Sequence, residues 1–261
     1  MRRIWAAAFF ILVAPACSWP GSGGPLDTAG DKLGDIRSGV MNLRLVAATR
    51  SGPETGFAIS GPFSLPSDES LIEADLNLRQ LGPEAAPQVR FVSTGEAAYV
   101  KVEGKTYELP PEQAESLRGD AEAGEGGPFD GLDLDSWAID PEVSEGEELD
   151  GVETQTIRGR LDVVAAAQDL FDMAYDFGGV SLPAIEGEEA KRLSDAVESS
   201  SLEVVTGRED GYLRRLDIQV DLAASAPERL EPALSDLLGV GFELLLEIED
   251  PNEPVQVTYP E

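Results

Sequence analysis

The single cysteine of this 261-residue chain, Cys17, closes a short apolar N-terminal stretch, MRRIWAAAFFILVAPAC, and the sequence contains no histidine. Those two facts remove much of the usual catalytic chemistry. Without imidazole there is no Ser-His-Asp triad, no histidine general base and no common zinc site, and one thiol cannot form an intrachain disulfide. Carboxylates are the main reactive groups left: 50 acidic side chains stand against 19 basic ones, for a formal charge of −31. Asp130, Asp133 and Asp135, in FDGLDLDSW, offer oxygens of the kind calcium takes. They lack the spacing and terminal glutamate of an EF-hand, so a solvated acidic loop is the preferred reading. Carboxylate pairs suited to glycoside hydrolysis can be drawn in many places at this acidic content, and no motif selects one. The Arg118-Gly119-Asp120 triplet is too short to carry a binding function. No motif here selects an active site or a metal, so the chain is read as no enzyme; the enzyme alternative would need a carboxylate in an apolar pocket with a raised pKa.

Cys17 has a different use. Arg2 and Arg3 form a positive n-region, Ile4 to Val13 form an apolar stretch of signal-peptide length, and Ala14-Pro15-Ala16 places small residues before the thiol. A membrane-spanning helix needs roughly 20 apolar residues, more than this stretch supplies. The pattern resembles a bacterial lipoprotein signal, in which the cysteine is diacylated and opens the mature chain. Ala14-Pro15-Ala16 is also an A-x-A site, which an ordinary signal peptidase would cut at the same bond. Both readings stay open, anchored to the cell membrane through a lipidated Cys17 or secreted, and both place the mature chain outside the cytoplasm. The expected organisation is a signal peptide over 1–16, a flexible Gly/Ser/Pro tether over 17–25 and one folded domain over 26–261. So negative a surface repels phosphate backbones, which argues against nucleic acid as a partner. It also argues against charge-driven adsorption to anionic headgroups.

Periodicity supplies the elements. Leu26, Ala29, Leu33 and Ile36 recur at helical spacing, which predicts a short amphipathic helix. After Gly39 the period becomes two. Leu43, Leu45 and Ala47 alternate with Asn42, Arg44 and Val46; Phe57 and Ile59 alternate with Ala58 and Ser60; Ala74, Leu76 and Leu78 alternate with Asp75, Asn77 and Arg79. Shorter strands are expected over 88–93, 97–102 and 105–109, then a helical turn from Pro110 and a surface loop over 118–128. A strand over 151–160 precedes the best helix of the chain, 161–177, with Val164, Leu170 and Phe171 on its broad apolar face. A polar helix over 187–199 follows. The strands 202–207 and 213–222 flank Asp210-Gly211, a hairpin signal. In the second of these, Leu216, Ile218 and Val220 face away from Asp217 and Gln219, and Phe242, Leu244 and Leu246 repeat the pattern against Glu243 and Glu247. Strands with one polar face make an antiparallel sheet wetted on one side, whose apolar side must be covered.

The order of one opening helix, six strands, a two-helix insertion and closing strands resembles the LolA-like superfamily, and within it the LppX/LprG group of actinobacterial lipoproteins. The segments that carry the likeness are 37–47 (RSGVMNLRLVA), Gly61-Pro62-Phe63, 96–109 (EAAYVKVEGKTYEL), 137–141 (WAIDP), 150–163 (DGVETQTIRGRLDV) and 210–221. The resemblance implies an α+β fold: a single curved antiparallel sheet, a half-barrel, with helices covering its concave apolar face. It further implies a protein that binds or transfers lipids, glycolipids or the acyl chains of lipoproteins in an apolar cavity, without a cofactor, and it transfers no catalytic residue.

Strand alternation names the candidate lining of such a cavity: Leu43, Leu45, Phe57, Ile59, Leu76, Leu78, Leu216, Ile218, Val220, Phe242, Leu244 and Leu246, with Leu170 and Phe171 from the covering helix. Tyr99 and Tyr107 are candidates for its mouth. The same residues could equally interdigitate as a filled core. In that case the chain is an envelope scaffold or sensor lipoprotein, meeting a protein partner through its acidic surface.

Overall fold

The computed structural model describes residues 24–49, 52–65, 70–83, 86–115, 129, 131–178, 185, 187–223 and 239–257. Cys17, the leader, Asp130 and the 118–128 segment lie outside them, as do the side chains of Phe171 and of 173–178.

The chain opens with helix α1 (Pro25–Gly34) and then runs through six strands: β1 (Ser38–Thr49), β2 (Thr55–Ser64), β3 (Glu73–Leu81), β4 (Val89–Thr94), β5 (Ala98–Val102) and β6 (Lys105–Glu108). Two short helices, α2 (Pro111–Glu115) and α3 (Leu134–Trp137), lead to β7 (Ala138–Glu145) and β8 (Thr154–Leu161). Helices α4 (Val163–Gly178) and α5 (Gly187–Ala196) precede β9 (Val197–Gly207), β10 (Leu213–Leu222) and β11 (Val240–Glu249). Every neighbouring pair of strands is antiparallel, in one 11-stranded sheet of order β6-β5-β4-β3-β2-β1-β11-β10-β9-β8-β7. Two meanders, β1 to β6 and β7 to β11, are thus joined by pairing the first strand with the last. The sheet does not close, and the α+β half-barrel expected from the sequence is the architecture found.

The β1–β11 seam runs from Val40↔Glu249 to Thr49↔Val240. Its far end is fastened by the turn after β11. The Asn252 side chain accepts a bond from Arg37 N–H at 2.7 Å and donates to the Asp35 carbonyl at 3.3 Å, while its own N–H donates to the Ser38 carbonyl at 2.8 Å. Asn252 sits at φ 64°, the left-handed region asparagine tolerates better than most residues.

Among the described residues, the helices pack on the sheet at β10 and β7. Helix α1 packs on α3 and on β10, α3 on α4, and α4 on α5. The node of this roof is Trp137, buried to 1% exposure at the end of α3. Its indole N–H donates to Asp169 Oδ2 at 2.7 Å, and the same oxygen accepts from Asp133 N–H at 3.0 Å, so one carboxylate of α4 holds both ends of α3. Asp133 in turn caps α3 by accepting from Ser136 N–H at 3.2 Å. Asp162 caps α4 by accepting from Val164 and Ala165 N–H, each at 3.1 Å.

The strands are longer than their alternation predicts, and two elements were not legible. The helix expected to reach residue 199 stops at Ala196, because β9 begins at Val197 and keeps pairing with β10 to Leu222. β-Branched Val197 and the serines Ser199 to Ser201 are poor helix formers, so strand pairing wins there. Helix α3 is a single turn. Strand β7 carries Pro141, tolerable on an edge strand where no ladder donor is needed, and an irregularity between Ile139 and Glu142 with Asp140 at φ 54°.

Asp169→Ala leaves the Trp137 indole and the Asp133 amide without their acceptor, and is expected to lower unfolding free energy by about 2 kcal/mol. Asp169→Asn keeps an accepting oxygen and should lose clearly less. Urea titrations of both variants followed by tryptophan emission check this; equal losses would mean that packing, not the shared acceptor, fixes α3.

Candidate functional site

The candidate site is built by register. Across eight strands, Val89, Leu78, Ile59, Leu43, Leu246, Leu216, Val204 and Ile157 stand opposite one another in a single row. A second row runs Phe57, Leu45, Leu244, Ile218 and Leu202, and a third Ala47, Phe242 and Val220. Leu76 stands beside Phe91 on the same face. Twelve sequence-predicted strand residues, Leu43, Leu45, Phe57, Ile59, Leu76, Leu78, Leu216, Ile218, Val220, Phe242, Leu244 and Leu246, therefore share one side of the sheet. Leu170 is half-buried and packs against the same core from α4. The Phe171 side chain and Cys17 fall outside the described residues.

These residues are not equally covered. Leu216, Ile218, Val220 and Leu246 are buried in the core with the helices. Leu43, Leu45, Ile59, Leu76, Leu78, Phe242 and Leu244 are only half-buried, and Phe57 is 41% exposed. The apolar face thus continues beyond the helical roof, across β11, β1, β2, β3 and β4, a width of roughly 19 Å at the usual strand spacing. Coverage is also graded along the strands. At the α1 end Phe63, Ala74, Ser93 and Ala98 are buried, whereas at the opposite end Phe57 and its partner Gln80 are exposed. Among the described residues, the half-covered region is thus a trough buried at the α1 end and more exposed toward the β1–β2, β3–β4 and β5–β6 turns.

Its polarity is segregated by the same two-residue period. On β1, β2, β3, β4, β10 and β11 the inner positions carry no charged side chain among the described residues; the charges register on the outer face. There they pair across strands. Arg44 meets Glu243 and, at 3.3 Å, Glu54. Arg215 meets Glu247 at 2.9 Å, and Arg90 makes two bonds to Asp75, at 2.7 and 2.6 Å. That bidentate bond holds the Arg90 guanidinium above its ordinary value. Among the described residues the inner face of these strands is mainly hydrocarbon, with the uncharged polar side chains Gln80 and Ser93 toward its two ends.

Two other groups singled out on the sequence resolve differently. Tyr99 pairs with Glu108 while its neighbour Val100 pairs with Tyr107, so the two tyrosines lie on opposite faces and cannot frame one opening. Tyr107 alone is on the inner side, at the sheet edge. Asp133 and Asp135 belong to the cap and first turn of α3, and among the described residues no group of acidic side chains is arranged to hold a metal ion. The inner-face residues Val89, Phe91 and Val100 were not named from the sequence; their strands are short, and only the cross-strand register aligns them with Leu78 and Leu76.

No protein-family model matches the chain, and no curated protein matches it. Among solved structures it is similar to LprF from Mycobacterium bovis, at 12% identity over 90% of this chain and 95% of that one, with a TM-score of 0.44. It is also similar to a LolA superfamily protein from Nitrosomonas europaea, at 9% identity over 88% and 93% of the two chains, with a TM-score of 0.23.

If the trough is a surface and not core, truncations should divide by position. Leu216→Ala, in the helix-covered part, is expected to cost about 2–5 kcal/mol, as large-to-small changes in a packed core do. Phe57→Ala should cost under about 1 kcal/mol, because little of the ring's contact is lost. Chemical denaturation of both variants decides; comparable losses would make the open part of the face ordinary core.

Proposed function

We propose that the protein is an extracytoplasmic lipoprotein, anchored through diacylated Cys17, that binds acyl lipids in the trough of its half-barrel and passes them between membranes or partners. The observation that supports this reading is the half-exposed hydrocarbon face spanning β4 to β11, which carries no charged side chain at its inner positions among the described residues, beside described helices α1 and α3 that pack on β10 and β7. A soluble domain that leaves such a surface contiguous has a use for it. Each methylene taken out of water contributes about 0.8 kcal/mol, so a dozen of them supply on the order of 10 kcal/mol gross before the cost of immobilising the lipid. No specific polar contact is needed for tight binding of the chains.

Chemically, the action is transfer without reaction. Acyl chains leave a bilayer and lie against Leu43, Leu45, Phe57 and Ile59, while the headgroup stays at the wet end near Gln80. The buried α1 end limits how far the chains enter. Release follows the same path in reverse, and its direction is set by which membrane or partner offers the chains the lower free energy.

The full chain carrying Cys17→Ser, secreted and purified without detergent, tests this by native mass spectrometry and organic extraction. A stoichiometric lipid adduct is expected. A bare chain that also fails to take up added lipid would sink the carrier reading. Leu45→Asp with Ile59→Asp should abolish the adduct while keeping the far-ultraviolet circular dichroism of the parent, since both positions are only half-buried. The anchor has its own readout: the unsubstituted protein should fractionate with membranes at the mass of a diacylated chain, and Cys17→Ser should release it.

A further inference from the structure

We infer that the protein loads its lipid while touching an anionic bilayer at one corner of the trough, where the β5–β6 turn and the β6 edge meet the more exposed end of the sheet. This rests on the lipid-binding reading above and adds to it a partner surface and the residues that meet it. Cross-strand register carries the inner rows out to β6: Leu78, Val89 and Val102 lead to Lys105, and Leu76, Phe91 and Val100 lead to Tyr107. At this edge the hydrocarbon face therefore ends in two side chains that bridge hydrocarbon and water. A lysine lays its methylene stem on apolar surface and keeps its ammonium wet. A tyrosine does the same with ring and hydroxyl, and tyrosines gather at membrane–water boundaries. Both are exposed, Tyr107 to 55%, and Phe57 near the start of β2 is exposed to 41%.

Charge separates this edge of the sheet from the other. The chain as a whole, at −31, is repelled by an anionic surface. With a Debye length of about 10 Å at 0.1 M salt, however, the margin that touches the surface dominates. Strand β7 and the turn after it expose Asp140, Glu142, Glu145, Glu147, Glu148 and Asp150, with Arg160 and Arg208 drawn onto Asp140 and Glu145 at 3.3 and 3.1 Å. At the β5–β6 corner Lys101 and Lys105 flank Glu103, and Arg79 is exposed near the end of β3. The other acids there are Glu54, which Arg44 engages at 3.3 Å, and Glu108, on the outer face beside Tyr99. Basic side chains at this corner thus match the acidic ones among the described residues, in a chain that sets 19 against 50. An anionic bilayer approaches here without the repulsion it meets at β7, and its phosphates meet Lys101 and Lys105. Acyl chains then pass over Lys105 and Tyr107 into the trough without being exposed to water.

The full chain with Cys17→Ser, mixed with vesicles of dioleoylphosphatidylcholine and dioleoylphosphatidylglycerol carrying a trace of pyrene-labelled phosphatidylcholine, tests this through the rate at which excimer emission falls as the label is taken up. Adding Lys101→Gln with Lys105→Gln should slow uptake about tenfold at low salt. At 1 M salt, where the Debye length shrinks to about 3 Å, the two rates should converge. Arg160→Gln with Lys191→Gln removes the same charge away from the corner and should leave the rate unchanged. Tyr107→Ala should slow uptake from the mixed vesicles and from pure phosphatidylcholine alike. The same label injected from ethanol, with no bilayer present, should load every variant equally. A parental rate in the Lys101→Gln, Lys105→Gln variant, or equal slowing by the remote pair, overturns docking at this corner while injected label still reports lipid binding. Failure to load by either route overturns the lipid-binding reading, and the docking with it.

Discussion

The seam between β1 and β11 is the constraint on which the rest of the structure depends. It joins two meanders that otherwise share no strand pairing, and it is written between strands some 200 residues apart. Because side chains alternate with a period of two, a slip of β11 by one residue against β1 would turn Leu244 and Leu246 away from Leu43 and Leu45 and bring Glu243 and Glu247 to their side. The correct register sets Leu43 against Leu246 and Leu45 against Leu244, and places Arg44 where it reaches Glu243. Exposed ion pairs contribute little to stability individually. Their weight here is in specificity, since the slipped register would leave the same charges unpaired against hydrocarbon.

From that seam the sheet diverges into two environments. Toward β8 the inner face is sealed by α1, α3, α4 and α5, with Trp137 and Asp169 fixing α3 between α1 and α4. Toward β4 the same kind of surface is only half-covered. The difference does not come from strand composition, because Leu43, Ile59 and Leu78 are as apolar as Leu216 and Val204. It comes from where the helices attach: α1 precedes β1 and lies back over β10, and α4 and α5 are inserted between β8 and β9. Insertion point, not hydrophobicity, decides which leucines become core and which become surface.

That distinction explains what the sequence could and could not reveal. Alternation at Leu43-Leu45, Leu76-Leu78 and Leu216-Ile218-Val220 marked strands and their apolar side, because burial on one face leaves a period that needs no tertiary knowledge. The same alternation was silent on coverage, so core and trough residues entered one undivided set. Val89, Phe91 and Val100 escaped notice because their strands are only five or six residues long, too short for a period to stand out. Strand β7 was hidden by Pro141 and by the acidic residues Asp140, Glu142 and Glu145, which oppose strand propensity and are acceptable only at an edge. Tyr99 and Tyr107 looked like a pair by type; register alone separates them to opposite faces.

An exposed hydrocarbon trough and two free sheet edges would ordinarily invite self-association. Both edges are blunted by local means. Strand β6 has four residues, all exposed, with Lys105 at its start; strand β7 carries Pro141, an irregular register and two exposed glutamates. The trough itself cannot be blunted without losing its hydrocarbon surface, so protection must come from a force that acts between molecules and spares the face. Net charge does that. At −31, two copies of the chain repel one another as they approach. On this fold the acidity opposes the self-association that an open apolar face would otherwise favour.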